Sequence, residues 1–244
     1  LPKNTGASFV LVQHLSPDSK SIMGELLSRE TDMPVRVVYE DTPVQANHIY
    51  VMSESKDLIF SNGMLITQDR NGSNHLHLPI DQFFNSLASN LGPKAMGIIL
   101  SGTGTDGTRG VRAIKEQGGI VLVQDQKSAT FNGMPQSAIS LNIADAVLPP
   151  DKLAESVVNL LNGRAATEGH QTLVDPQEQR SEIQDVITYL TEQSGVNFHG
   201  YRKPTLIRRM ENRMLLQNCN TVKDYLQLLE TNPAEVQALF HNVL

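Results

Sequence analysis

The stretch AMGIILSGTGTDGTRG, residues 95–110, decides the fold. Residues 96–100 form a short apolar run with the length and β-branched content of a buried strand. A polar loop with glycines follows, and residues 108–116 have the apolar spacing of a helix, with Gly118 and Gly119 just past its end. Strand, glycine-rich loop and helix meet at the edge where open α/β sheets bind ligands. Asp106 lies in this loop at the mouth of the helix, so its carboxylate is the first candidate for a functional group.

The same loop, residues 102–107, also fits the pattern G-x-G-x-x-G, and Asp125 follows after the next predicted strand. A dinucleotide-binding site is therefore one alternative. Against it, Asp106 would lie where the pyrophosphate must approach the helix N-terminus, and two anions would compete for the same amides. A third interpretation is that Asp106 only caps the helix.

The rest of the chain predicts an α/β domain over residues 1–163, with a doubly wound, mostly parallel sheet because strands and helices alternate. Asn62-Gly63 predicts an antiparallel hairpin insertion, since this pair accepts the positive φ of a type I′ turn. A closing helix is predicted over residues 151–161, with Asn162-Gly163 as its end. Residues 164–180 are polar and are predicted to be a linker. Residues 181–244 have helical apolar spacing and no strand signal, which predicts a small all-α helical subdomain.

Composition excludes several classes of protein. With 39% hydrophobic and 19% charged residues among 244, the chain has globular values. The net charge of −6 argues against a general nucleic-acid binder. The single Cys219 cannot build a disulfide framework and fits a reducing compartment. No apolar run reaches the length of a membrane span, so we expect no membrane insertion. The chain starts at Leu1, just ahead of a predicted core strand, and stops within an apolar helical pattern, so we expect a piece of a longer protein.

His14 is the second candidate, because it follows the apolar run at residues 8–13 and so lies at the carboxyl edge of the same predicted sheet as Asp106. A histidine oriented by an aspartate is two-thirds of a nucleophilic triad; the alternative is a histidine bonded to a backbone carbonyl. No G-x-S-x-G turn occurs, and we expect the Ser101 hydroxyl to serve its own loop. His75 and His77 share one face of a predicted strand, but no third ligand is evident, so we expect no metal site.

The helical subdomain has a basic cluster in a chain that is acidic overall. Arg208, Arg209 and Arg213 lie within two turns of one predicted helix, and Arg209 and Arg213 share a face. One interpretation is an ordinary solvated face. The other is a docking surface for an acidic partner.

Three motifs in register resemble the chemotaxis protein-glutamate methylesterase family, CheB: residues 13–17 (QHLSP), the loop at 102–107 and residues 132–135 (NGMP). The resemblance covers about residues 7–161. It implies a serine hydrolase with His14 as the base and Asp106 as its orienting acid. The family's nucleophile lies in a Gly-x-Ser-x-Gly-Gly turn, which would fall upstream of Leu1, so we expect these 244 residues alone to be inactive.

Residues 181–244 resemble the N-terminal helical subdomain of the chemotaxis receptor methyltransferase, CheR, whose basic helix faces the receptor. The two halves together resemble a CheB–CheR fusion. This implies cytoplasmic helices of methyl-accepting chemotaxis receptors as partner, a cytoplasmic location and no nucleic acid. S-adenosylmethionine is expected for a methyltransferase domain beyond these residues, and no cofactor within them. A non-catalytic scaffold that binds a receptor through the fused modules is the alternative.

Overall fold

A computed structural model describes residues 1–14, 21–70, 77–169, 176–198 and 201–243. The first part of the chain forms a parallel sheet in the order β1-β4-β2. Residue 9 on β1 and residue 35 on β2 both align with residue 49 on β4. The three strands are β1 (Phe9–Leu11), β2 (Val35–Val38) and β4 (Ile49–Met52), and helix α1 (Met23–Glu30) lies between β1 and β2.

The predicted hairpin insertion is present as an antiparallel sheet in the order β3-β6-β5. Its strands are β3 (Thr42–Pro43), β5 (Lys56–Ser61) and β6 (Met64–Asp69). Asn62 and Gly63 connect β5 to β6 with φ values of 48° and 79°. Two successive positive φ values match the type I′ turn that the Asn-Gly pair favours.

A second parallel sheet, in the order β7-β8-β9, carries the glycine-rich stretch at residues 95–110. Every residue of β8 is buried, as expected for a strand with helices on both faces. Its strands and helices are α2 (Pro79–Leu91), β7 (Met96–Ile99), α3 (Thr108–Glu116), β8 (Ile120–Gln124), α4 (Gly133–Ile139) and β9 (Ala146–Leu148). The predicted α/β class with parallel strands and an antiparallel insertion is confirmed. The hydrogen bonding differs in detail, because the described parallel strands form two sheets of three.

Helices α2 and α3 pack closely against each other at Gly110. A Cβ atom on Gly110 would press into the Cβ of Phe84 and lie 3.2 Å from the Cα of Asp81. Only glycine therefore allows this approach without displacement of a helix. The packing brings the N-termini of the two helices together.

The described part of the predicted linker at 164–180 is helical, because α5 (Pro150–Gly169) runs through its first part and α6 (Pro176–Ser194) begins within it. Residues 170–175 lie outside the described residues. Gly163 was expected to end the helix, yet it lies inside α5, where a Cβ atom would meet the Leu215 side chain. The glycine serves a close helix contact rather than a helix end.

The C-terminal part is helical, as predicted, and packs around its own core of buried side chains. Its helices after α6 are α7 (Lys203–Leu216), α8 (Val222–Thr231) and α9 (Pro233–Val243). Tyr225 and Leu239 are almost fully buried at the centre of this core. Helix α7 also packs against α5 of the α/β part, so the two parts share an interface. Within the described residues, no helix is long and apolar enough to cross a membrane.

Candidate active site

The Asp106 carboxylate lies at the point where the N-termini of α2 and α3 meet. Oδ2 accepts a hydrogen bond from the amide of Ile80 (2.9 Å). Oδ1 accepts from the amides of Asp81 (2.9 Å) and Gly107 (2.8 Å). The residue is 4% exposed. A buried carboxylate at helix N-termini is stabilised by the unpaired amides and by the positive ends of the helix dipoles. Asp106 therefore does act as a cap, chiefly of α2 rather than of its own helix.

His14 reaches the same carboxylate from the end of β1. Its Nε2 lies 2.8 Å from Oδ2 of Asp106, and its side chain is 46% exposed. The bond to Asp106 uses Nε2, so Nδ1 is left to exchange a proton with a substrate or a nucleophile. The structure thus brings together the two residues that the sequence analysis selected for acid–base chemistry.

Asp81 completes a reciprocal arrangement between the two helices. Its amide is held by Asp106, while its own Oδ1 accepts from the amide of Gly110 at 2.8 Å. Burial raises the pKa of Asp81; the bond from Gly110 opposes this, and the nearby Asp106 charge adds to it. Each helix start is therefore capped by a carboxylate from the other element.

A second aspartate–histidine pair lies beside the first, and the sequence analysis did not find it. His77 Nε2 contacts both carboxylate oxygens of Asp57, at 2.9 and 2.8 Å. The rings of His14 and His77 are 6.1 Å apart at 87°. Asp57 lies on β5, remote in sequence, so only the packing of the hairpin against α2 makes the pair. His75 lies outside the described residues, and those that are described hold no group of three or more His, Cys, Asp or Glu side chains suited to a metal.

The Ser101 hydroxyl binds backbone groups, as expected, but in the loop after β8 rather than in its own loop. It accepts from the amide of Phe131 (3.0 Å) and donates to the carbonyl of the same residue (3.3 Å). The loop geometry also argues against a dinucleotide, because the Gly107 amide that would face a pyrophosphate is already bound by Asp106. A groove of about 740 Å³ at the carboxyl ends of β8 and β9 is lined by residues such as Asp125 and Val147, and neither His14 nor Asp106 lines it.

The proposed docking arginines need a correction. Arg213 is only 5% exposed. Its Nε donates to Glu235 Oε1 at 2.9 Å, and its other nitrogens bond to Glu235 Oε2 and to the carbonyl of Asp145. A docking role for Arg213 is therefore wrong, because its guanidinium is buried and paired with the carboxylate of Glu235.

Arg208 and Arg209 are half-buried and lie towards the α/β part. The Arg208 guanidinium lies over Gly118, where a Cβ atom would be 2.9 Å from Nη1. Burial lowers the pKa of Arg209, while Asp145 opposes this shift. A docking role for Arg208 and Arg209 stays a prediction, and only the exposed part of each side chain could contact a partner.

Two known protein families match this chain. The profile of the CheB methylesterase matches residues 1–157. The chain belongs to the CheB methylesterase family. The profile of the all-alpha domain of the CheR methyltransferase matches residues 181–244. Both resemblances inferred from sequence motifs are thereby confirmed.

Similar proteins agree with this assignment. A protein-glutamate methylesterase/protein-glutamine glutaminase of Pseudomonas fluorescens is 33% identical over 66% of this chain and 48% of its own length. An uncharacterised 104.1 kDa protein of Rhodobacter capsulatus is 30% identical over 91% of this chain and 25% of its own. The crystal structure of the Thermotoga maritima CheB catalytic domain superposes with a TM-score of 0.59 at 29% identity, covering 66% of this chain and 87% of that one. The chain thus spans about half or less of its curated relatives.

Proposed function

We propose that the protein to which this chain belongs hydrolyses glutamate γ-methyl esters on cytoplasmic helices of methyl-accepting chemotaxis receptors. The observation that carries the proposal is the 2.8 Å contact between His14 Nε2 and Asp106 Oδ2. In this mechanism His14 Nδ1 takes the proton of a serine hydroxyl, and the serine oxygen attacks the ester carbonyl. Methanol leaves, and water then hydrolyses the acyl-serine. Glutamine deamidation would use the same acyl chemistry, with ammonia as the leaving group.

Asp106 has the role of orienting acid in this proposal. It fixes the Nε2–H tautomer of His14 and stabilises the imidazolium that forms when Nδ1 accepts the proton. The serine is proposed to lie outside these 244 residues, upstream of Leu1, because no G-x-S-x-G turn occurs within them and Ser101, on the loop of Asp106, is bound to Phe131. This chain alone is then expected to be inactive.

The helical part is proposed to belong to a receptor methyltransferase module of the same protein. Support comes from the CheR profile match at residues 181–244. S-adenosylmethionine would bind in a methyltransferase domain outside these residues, and both modules would work in the cytoplasm, where the receptor helices are.

The test is methanol release from methylated receptor by the intact protein. His14→Gln and Asp106→Asn should each lower kcat by about 10³–10⁴-fold, because the general base is lost or held in the wrong tautomer. His48→Gln is the matched control, since His48 directly precedes β4 at the amino ends of the strands, whereas His14 follows β1 at their carboxyl ends. Full turnover by His14→Gln would refute the mechanism, and receptor binding without turnover by the wild type would favour the scaffold alternative.

A fluorophosphonate probe tests the position of the nucleophile. This chain should not be labelled, whereas a version extended upstream should be labelled in a manner that depends on His14. Labelling of Ser101 in this chain would show that the nucleophile has been misplaced.

A further inference from the structure

The bond to Asp106 leaves one freedom of the His14 ring weakly restrained. In an imidazole side chain, the Cβ–Cγ axis passes between Nε2 and Cε1, so rotation about this axis moves Nε2 less than it moves Nδ1. A single hydrogen bond at Nε2 therefore fixes the position of that nitrogen better than the plane of the ring. With 46% of the side chain exposed, His14 needs a second neighbour to keep Nδ1 in one direction.

The His77 ring supplies such a neighbour. Its centroid is 6.1 Å from that of His14, and the two planes are nearly perpendicular at 87°. This edge-to-face geometry is favoured between aromatic rings and disfavours rotation of either one. The contact acts on the freedom that the Asp106 bond leaves open.

His77 is itself held in place. Its Nε2 contacts both oxygens of Asp57, whose side chain is 9% exposed and lies on β5. Arg70 Nε is 3.4 Å from the same carboxylate. In addition, His77 precedes Pro79, where α2 begins, and the amides of Ile80 and Asp81 in the first turn of that helix bind Asp106. One rigid helix start thus positions both neighbours of His14.

We propose that His77, anchored by Asp57, is a positioning residue that holds the ring plane of His14 so that Nδ1 faces the nucleophile. The consequence for turnover rests on the function proposed above, whereas the effect on the His14 ring does not. A shift of about 1 Å in a reacting group costs on the order of a hundredfold in rate. His77→Ala should therefore lower kcat by about ten- to a hundredfold and leave KM within about twofold.

The decisive comparison is between His77→Ala and His77→Phe in the intact protein. Phenylalanine keeps the ring but loses the bond to Asp57, so it should recover part of the activity that alanine loses, to about the level of Asp57→Ala. Asp57→Ala should give an intermediate loss, because His77 stays but is no longer held. His48→Ala is the control, since His48 also stacks on an aromatic ring, that of Tyr50, but at the amino ends of the strands, away from His14. A residue with only a structural role would lower thermal stability in both His77 variants and would show no rescue by phenylalanine.

A second measurement does not depend on activity. In ¹⁵N spectra of this chain at alkaline pH, a held His14 gives one protonated nitrogen, Nε2, and one unprotonated nitrogen, Nδ1. In His77→Ala the two signals should move towards a common value, and in His77→Phe they should stay apart. Unchanged His14 signals in His77→Ala, or equal losses in the two variants, would overturn the proposal. A wild type with no turnover but with these spectral changes would contradict the proposed function and leave the positioning role supported.

Discussion

Arg213→Met should destabilise the protein strongly, because Arg213 neutralises a buried carboxylate between three helices. Glu235 on α9 is 2% exposed and is bound by two nitrogens of the guanidinium. It also accepts from the Tyr225 hydroxyl at 2.8 Å and from Gln217 Nε2 at 2.6 Å. The hydrogen bond and charge of Glu235 raise the pKa of Arg213 against the opposing effect of burial, which is the larger single influence. Methionine would fill similar volume without the charge.

The size of the stability loss in Arg213→Met depends on the buried Glu235 charge that the substitution leaves unpaired. Removal of one partner from a buried ion pair costs about 3–5 kcal/mol, because the other charge stays buried and unpaired. Tyr225 and Gln217 would still donate to Glu235, so we expect the lower end, about 3 kcal/mol. Addition of Glu235→Gln to Arg213→Met removes the stranded charge and should recover at least half of that loss. A bond from Arg213 to the carbonyl of Asp145 crosses to the α/β part, so the interface should loosen as well.

Urea unfolding of this chain measures the effect. Arg202→Met is the matched control, because Arg202 is exposed just before α7, and the change should stay within about 0.5 kcal/mol. A loss below about 1 kcal/mol for Arg213→Met, or a double variant less stable than the single one, would show that the pair does not carry the stability assigned to it.

Two further predictions concern the meeting point of α2 and α3. Gly110→Ala should cost about 1–3 kcal/mol, since its Cβ would press into Phe84 and separate the helices, while the exposed neighbour Arg109→Ala should be near neutral in urea unfolding. Asp81→Asn should stabilise the protein at neutral pH: a raised carboxyl pKa means that the stabilising contribution is full below the ordinary 3.8 and is lost as pH rises through the folded value. Unfolding at several pH values should show a smaller decline in the Asn variant, which keeps an oxygen for the Gly110 amide; an unchanged pH profile would contradict this.

Local sequence patterns predicted the elements whose structure depends on local chemistry. The apolar run at residues 120–124 is a buried strand, and Asn62-Gly63 forms the hairpin turn because both residues adopt positive φ. Gly163 misled the prediction, since a glycine within a polar stretch usually ends a helix. Its reason is the Leu215 side chain from α7, which no pattern near residue 163 contains.

The site was predictable to the same extent. His14 and Asp106 each follow a parallel strand, and that rule placed them together, although β1 and β7 belong to two hydrogen-bonded sheets and not to the single sheet that was predicted. The pair of Asp57 and His77 was not predicted, because their contact depends on how the hairpin packs on α2. In that packing the Phe60 amide donates to Ser86 Oγ at 2.9 Å. For Arg213, helical spacing predicted a shared face with Arg209, but whether a face is solvated depends on neighbours distant in sequence.

The choice between a helix cap and an acid for Asp106 disappears once its acceptor positions are counted. An ionised carboxylate has about four lone-pair positions. Three are filled by the amides of Ile80, Asp81 and Gly107, and His14 Nε2 occupies the fourth. All four contacts are ones that an ionised carboxylate makes as an acceptor, so the same group can hold the first turn of α2, orient His14 and balance the imidazolium charge at once. The capping bonds that hold the fold together therefore also fix the carboxylate that orients His14 in the proposed reaction.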